Sequence, residues 1–147
     1  MSTFSTKINI EAPSNRVWEV LADIGNIYIW NPGVVHSHAT NDHKGIGARR
    51  HCDLGGKNYL DEDIVECEEN KRLTMRITKT NLPFKSADIR FTLETENNNT
   101  IVTVSPIYEL KFGVVGKLLD LLFVRRTYVK GMNSLLKGLK KHVEASK

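Results

Sequence analysis

Along the last third of the chain, apolar residues recur at helical spacing: Val115, Leu118, Leu122, Val129, Met132, Leu136, Leu139 and Val143. Steps of three, four or seven set these side chains on one stripe, the mark of a helix with one buried face. No proline interrupts the run, so a single long helix is predicted from Phe112 to Val143. Its two halves differ. Residues 118–124 (LLDLLFV) are apolar nearly all round, whereas Lys130, Lys137, Lys140 and Lys141 mark a solvent side in the second half. The contrast fits a lid over a cavity that continues as a packed strut, and the stretch by itself fits an ordinary core helix as well. Gly131 and Gly138 lie seven apart on one side, where a sheet could approach closely.

At the other end, residues 3–11 (TFSTKINIE) alternate, with Phe4, Ile8 and Ile10 on one face, as a half-buried strand does. Ala12-Pro13 ends it, and Pro13 suits the first turn of a helix that carries Val17, Trp18, Leu21 and Ile24 to about Asp23. Gly25-Asn26 breaks that helix, a second short one covers Ile27 to Trp30, and Asn31-Pro32-Gly33 closes the segment. Six strands are predicted next: 34–40, 47–54, 58–67, 72–78, 84–94 and 100–110, separated by turn residues such as Gly55-Gly56 and Asn97-Asn98-Asn99. Consecutive strands with short turns pair as an antiparallel meander. One apolar face of that sheet needs cover, and only the terminal helix is long enough to supply it. At 1.5 Å per residue the helix spans roughly 45 Å, more than the sheet's width requires. A sheet curving strongly around it leaves a hollow. The fold class is therefore α+β.

Arg50 and Glu62 sit among apolar neighbours on adjacent strands. For Cys52 and Leu54 to face the same core as Leu60 and Ile64, paired positions must sum to an even number. A three-residue loop, Gly55-Gly56-Lys57, satisfies this and sets Arg50 opposite Glu62 on the concave face. A two-residue loop would oppose Arg50 to Asp61 instead. A charge pair is costly to bury unless hydrogen-bonded or solvated, so this one predicts a water-containing cavity with a polar anchor for a ligand.

Composition narrows the classes. A hydrophobic fraction of 40%, a charged fraction of 26% and 147 residues describe a single domain with a substantial core. The net charge of +4 comes from scattered lysines, which argues against nucleic acid as partner. Cys52 and Cys67 show no disulfide or CxxC spacing, and there is no secretory leader pattern. The longest apolar run falls far short of the ~20 residues a membrane span needs, so a soluble, cytoplasmic chain is expected. His36, His38 and His51 lack metal-ligand spacing; no metal or other cofactor is expected. Cys52 on the inner face has no histidine beside it and reads as a small hydrophobe. Glu62 with Tyr108 or Tyr59 is the one pairing available for acid–base work on an enolisable ligand.

The segments INIEAPSNRVWEVLADI, YIWNPGV, GIGARR, LDEDIVECEENKRLTMRI, LPF and GVVGKLLDLLF, in that order and spacing, resemble the START/Bet v 1-like superfamily in its polyketide cyclase/dehydrase and lipid-transport branch. The resemblance covers the whole chain. It implies a helix-grip fold, a curved seven-stranded antiparallel sheet wrapped around a long C-terminal helix with two short helices after the first strand. It further implies an internal cavity for hydrophobic ligands such as lipids, polyketides, sterols or plant hormones. Arg50 matches the arginine after the family's glycine-containing strand start, and Glu62 the acidic residue that lines the pocket in the related plant abscisic acid receptors. Those receptors carry a lysine where this chain has Asn31, and a long gating loop where it has the tight Gly55-Gly56 hairpin.

Together these readings predict a carrier of a small apolar molecule. Its cavity is expected to be lined by Arg50, Cys52, Leu54, Leu60, Glu62, Ile64, Met75, Ile77, Ile89, Phe91, Val104, Leu118 and Leu122, with Trp30 at the mouth. An enzyme of cyclase or dehydratase type, with Glu62 as general base, is the alternative. Transient membrane contact and a monomer or homodimer are the other expectations; an apolar patch at Leu121 and Phe123 could pair two copies.

Overall fold

A computed structural model describes residues 1–146. The alternating N-terminal stretch forms two short strands, β1 (Ser2–Thr3) and β2 (Thr6–Ile10). Helix α1 (Ser14–Ala22) follows Pro13, and a 3-10 helix spans Ile24–Ile29, with Asn26 in a non-helical conformation at its middle. Six strands come next: β3 (His36–Ala39), β4 (Arg49–Gly55), β5 (Asn58–Glu68), β6 (Arg72–Thr80), β7 (Phe84–Glu96) and β8 (Asn99–Leu110). The terminal helix consists of α2 (Gly113–Leu119), a π-helical turn at Asp120–Val124, and α3 (Arg125–Ala145).

All pairings are antiparallel, in the order β1-β8-β7-β6-β5-β4-β3, with β2 also on β8. The expected seven strands become eight because the first is interrupted at Phe4-Ser5. That gap lies opposite Ser105-Pro106 in an otherwise constant register, Thr3 with Ile107 and Thr6 with Val104. Pro106 has no N–H to donate, so the ladder lapses there. Side-chain bonds bridge the gap: the Thr3 hydroxyl donates to the Pro106 carbonyl (2.9 Å), and the Ser5 and Ser105 hydroxyls meet at 2.8 Å.

The even-sum register of β4 and β5 is present, Arg50 opposite Glu62 and Cys52 opposite Leu60, but a different turn produces it. Gly55 pairs with Asn58, so the turn has two residues, and a bulge at Leu54 restores the parity. Gly55 (φ 102°) and Gly56 (φ 59°) take backbone conformations that other residues rarely adopt. Further register shifts lie between Asp61 and Glu62 and between Ile64 and Glu66. Bulges bend and twist the strand that carries them, and these help curl the sheet. The last one also reverses the alternation, so Cys67, which strict alternation from Glu62 and Ile64 would turn outward, packs against the core.

α3 covers the concave side. Leu135, Leu136, Leu139 and Val143 pack with Ile10, Val17, Trp18, Leu73, Met75, Val102 and Val104. Each such side chain contributes about 1.5–3 kcal/mol relative to exposure. Gly138 is required here: a Cβ would stand 2.0 Å from the Trp30 carbonyl oxygen. The neighbour that presses on Gly138 is thus the Trp30–Pro32 loop, not the sheet. This packed half of the interior leaves the other half, under the first turns of α3, open.

Candidate functional site

The open half is a cavity of about 550 Å³ between β4–β7 and the start of α3. Its sheet wall carries Arg50, Cys52, Leu54, Leu60, Glu62, Ile77, Ile89 and Phe91; Ile27, Asn31 and Val34 close one side and Leu82, Pro83 and Phe84 the other. The roof is Phe123, Val124, Thr127, Tyr128, Gly131, Met132 and Leu135. No atom lies within 4 Å of where a Gly131 Cβ would be, so this glycine leaves space rather than permitting contact.

Within that apolar wall the cross-strand pair is buried, Arg50 5% and Glu62 2% exposed. Arg50 Nε donates to Glu62 Oε1 at 2.9 Å, and Nη2 lies 2.8 Å from the same oxygen. Arg50 Nη1 donates to the Ile24 carbonyl at 3.2 Å, which ties β4 to the 3-10 helix. Both contacts fall on Oε1, leaving Oε2 as the carboxylate oxygen a ligand donor can reach. The pair therefore presents one acceptor and a fixed guanidinium in surroundings that strengthen any polar contact.

Tyr128 is the functional candidate that the sequence reading missed. Its ring packs edge-on to Phe4 (5.4 Å between centroids) and against Phe84 and Tyr108, at the cavity roof. Burial first, then the negative charge of Glu62, raises the pKa of its phenol, so it stays a protonated donor. The signal was available: Tyr128 lies one turn before the apolar stripe position Met132, at i−4. Tyr108 and Tyr59, the two tyrosines considered as partners of Glu62, lie elsewhere. Tyr108 is fully buried and donates to Asp120, while Tyr59 stacks on His51.

Eight of the fourteen predicted lining residues surround the cavity; six do not. Trp30, Ile64, Met75 and Val104 are buried in the packed half of the interior. They face inward as the alternation predicts, but α1, the 3-10 helix and α3 fill the space in front of them. Leu118 and Leu122 are 57% and 52% exposed, because α2 and its π turn direct Gly116 and Asp120 inward instead.

Burial pushes the Cys52 thiol up to about 12, so it lines the wall as a small hydrophobe. On the opposite face of the sheet, His36, His38 and His51 form a row with Tyr28 and Tyr59. Among the described residues no cluster of three or more His, Cys, Asp or Glu side chains is placed to hold a metal ion. A larger groove of about 1210 Å³ runs past the β3 edge between α1 and the loop before β4. Its lining mixes surface groups such as Glu19, Asp42, His43 and Lys44 with buried Trp18, Ile24, Ala48 and Ile64, and it holds no buried ion pair. No helix among the described residues is long and apolar enough to cross a membrane.

A one-sided sheet gripping a terminal helix over a half-filled interior is the helix-grip architecture. The chain belongs to the polyketide cyclase/dehydrase and lipid transport family, whose model matches residues 1–144. No curated protein sequence matches it. Solved structures share its fold. A protein from Thermus thermophilus superposes with a TM-score of 0.83 at 22% identity, over 99% of both chains. A START superfamily protein from Mycobacterium smegmatis gives 0.81 at 16% identity, again over 99% of both. The Zhui aromatase/cyclase from Streptomyces sp. R1128 gives 0.78 at 14% identity, over 97% of this chain and 93% of that one.

Proposed function

We propose that this protein binds and carries a small, mainly apolar molecule in the cavity under α3, with Arg50 and Glu62 holding the ligand's one polar end. The observation that carries the reading is a hollow of about 550 Å³ with apolar walls and a single buried ion pair. That size is typical of sites for drug-sized ligands, whose affinity comes from apolar contact and whose orientation comes from a few polar groups. Family membership supports a ligand of lipid or polyketide type.

A second reading has a specific observation in its favour: Tyr128, a protonated donor, and the Glu62 carboxylate, an acceptor, line the same cavity. A cyclase or dehydratase would use Glu62 as general base on a bound polyketone. Glu62→Gln separates the two, since the amide oxygen still accepts from Arg50 but cannot take a proton. Binding is followed with anilinonaphthalene sulfonate, and with the small molecule that native mass spectrometry finds retained by protein purified from cells. A carrier keeps affinity for both within about tenfold, the scale of one altered polar contact, and returns the retained molecule unchanged. If the wild-type protein converts that molecule and Glu62→Gln binds it without converting it, the enzyme reading replaces the carrier.

A further inference from the structure

The segment that leads into the cavity roof is built inside out. Of residues 113–124 only Gly116 and Asp120 are buried, while Val114 is 83% and Leu121 76% exposed and Leu118, Leu122 and Phe123 stand more than half in solvent. At 3.6 residues per turn Val114, Leu118, Leu121 and Leu122 fall within a sector of roughly 100°, opposite Gly116 and Asp120, and Phe123 follows at the end of the π turn. Surface helices of globular proteins show the reverse arrangement.

Specific contacts hold the segment this way round. A Cβ on Gly116 would sit 2.3 Å from the Lys111 carbonyl oxygen, so only glycine permits the approach to the end of β8. Asp120 accepts from the Tyr108 hydroxyl and, at 2.6 Å, from the Ser2 hydroxyl. Rolling the leucines inward would take the acceptor away from two hydroxyl donors, one of them on the buried Tyr108.

We infer that this apolar face docks onto an anionic phospholipid surface. Charge selects the occupant. Between residues 111 and 130 the exposed charges are Lys111, Lys117, Arg125, Arg126 and Lys130, and the one acid, Asp120, is buried and bonded internally. Glu109, just before the segment, lies 3.8 Å from Lys85. An apolar strip rimmed by basic groups matches an interface with acyl chains beneath negative headgroups. A second copy fits worse, because a two-fold dimer would set basic rim against basic rim. The strip is also continuous with the cavity, since Phe123 and Val124 belong to its roof. Docking thus sets the mouth against the bilayer, where an apolar cargo can pass without crossing water; this last step rests on the carrier reading, whereas docking itself does not.

The test is flotation with vesicles of phosphatidylcholine alone and of phosphatidylcholine mixed with phosphatidylglycerol. The wild-type protein is expected to float with the mixed vesicles at low salt and to release as salt screens the charges. The double substitution Leu121→Asp with Val114→Asp alters two exposed side chains outside the cavity, so circular dichroism should be unchanged while the bound fraction falls at least tenfold. Leu121→Trp should show blue-shifted emission on adding the mixed vesicles. Absence of flotation at low salt overturns the inference, as does flotation that the double substitution leaves intact or that needs no anionic lipid. A concentration-dependent dimer abolished by the same substitutions would assign the strip to a second copy instead. Binding of anilinonaphthalene sulfonate without vesicles by the double variant, whose strip is broken and whose cavity is intact, tests the carrier reading separately.

Discussion

Moving a guanidinium and a carboxylate out of water costs several kcal/mol per ion, and attraction within the pair recovers that only with good geometry and further hydrogen bonds. Arg50 and Glu62 have both: two contacts to one carboxylate oxygen and a third from the guanidinium to the Ile24 carbonyl. The outer face of the same hairpin carries a different kind of pair. His51 lies between Asp61 and Asp53, whose hydrogen bonds, Asp61 first, raise its pKa above the ordinary 6.5. A raised value in the folded state means the protonated ring favours folding. The contribution is complete below about 6.5 and disappears as pH climbs through the folded-state value. Asp61→Asn is therefore expected to lower the His51 titration midpoint toward the ordinary value, read by NMR of the ring; an unmoved midpoint would refute the attribution.

At the scale of elements, glycines do opposite jobs on one helix. Gly138 lets α3 press on the Trp30 carbonyl, and Gly131 keeps the roof thin above the cavity. Gly138→Ala should cost about 1–3 kcal/mol or more, because backbone must move to admit the methyl group. Gly131→Leu should leave the urea midpoint unchanged or raise it, since leucine is the better helix former by nearly 1 kcal/mol. The same change should weaken anilinonaphthalene sulfonate binding severalfold by filling the hollow. Equal loss of stability in both variants would show that Gly131 is a packing residue after all. The π turn at Asp120–Val124 belongs to this scale too. It falls between a half-helix held by Gly116 and Asp120 and one held by Leu135, Leu136, Leu139 and Val143, where the inward-facing phase changes.

Over the whole molecule, one sheet serves two interiors. One is packed and supports the fold; the other is hollow and leaves apolar wall unsupported. A ligand that fills the hollow in the native state alone must stabilise the chain by mass action, about 2.7 kcal/mol at a hundred times its dissociation constant. Thermal unfolding with saturating anilinonaphthalene sulfonate should therefore show a midpoint raised by several degrees, a rise that shrinks in Gly131→Leu. A midpoint indifferent to the probe would mean that it does not bind the native chain in preference to the unfolded one, and a rise undiminished in Gly131→Leu would place its binding outside the cavity.

The order of strands and helices, the pairing of Arg50 with Glu62, and the inward side of β4 to β8, except in β5 beyond its bulge after Ile64, were legible along the chain, because alternation and helical periodicity report which way each side chain points from its own element. They do not report how far away the opposite wall stands. Met75 and Ile77 both face inward on β6 and are indistinguishable by pattern, yet one is packed and the other borders the hollow. That difference depends on where α1, the 3-10 helix and α3 come to rest, which only long-range packing decides. The face of α2 escaped the sequence for a related reason: its leucines point outward because of contacts that Asp120 makes with Tyr108, twelve residues earlier, and with Ser2 at the far end of the chain.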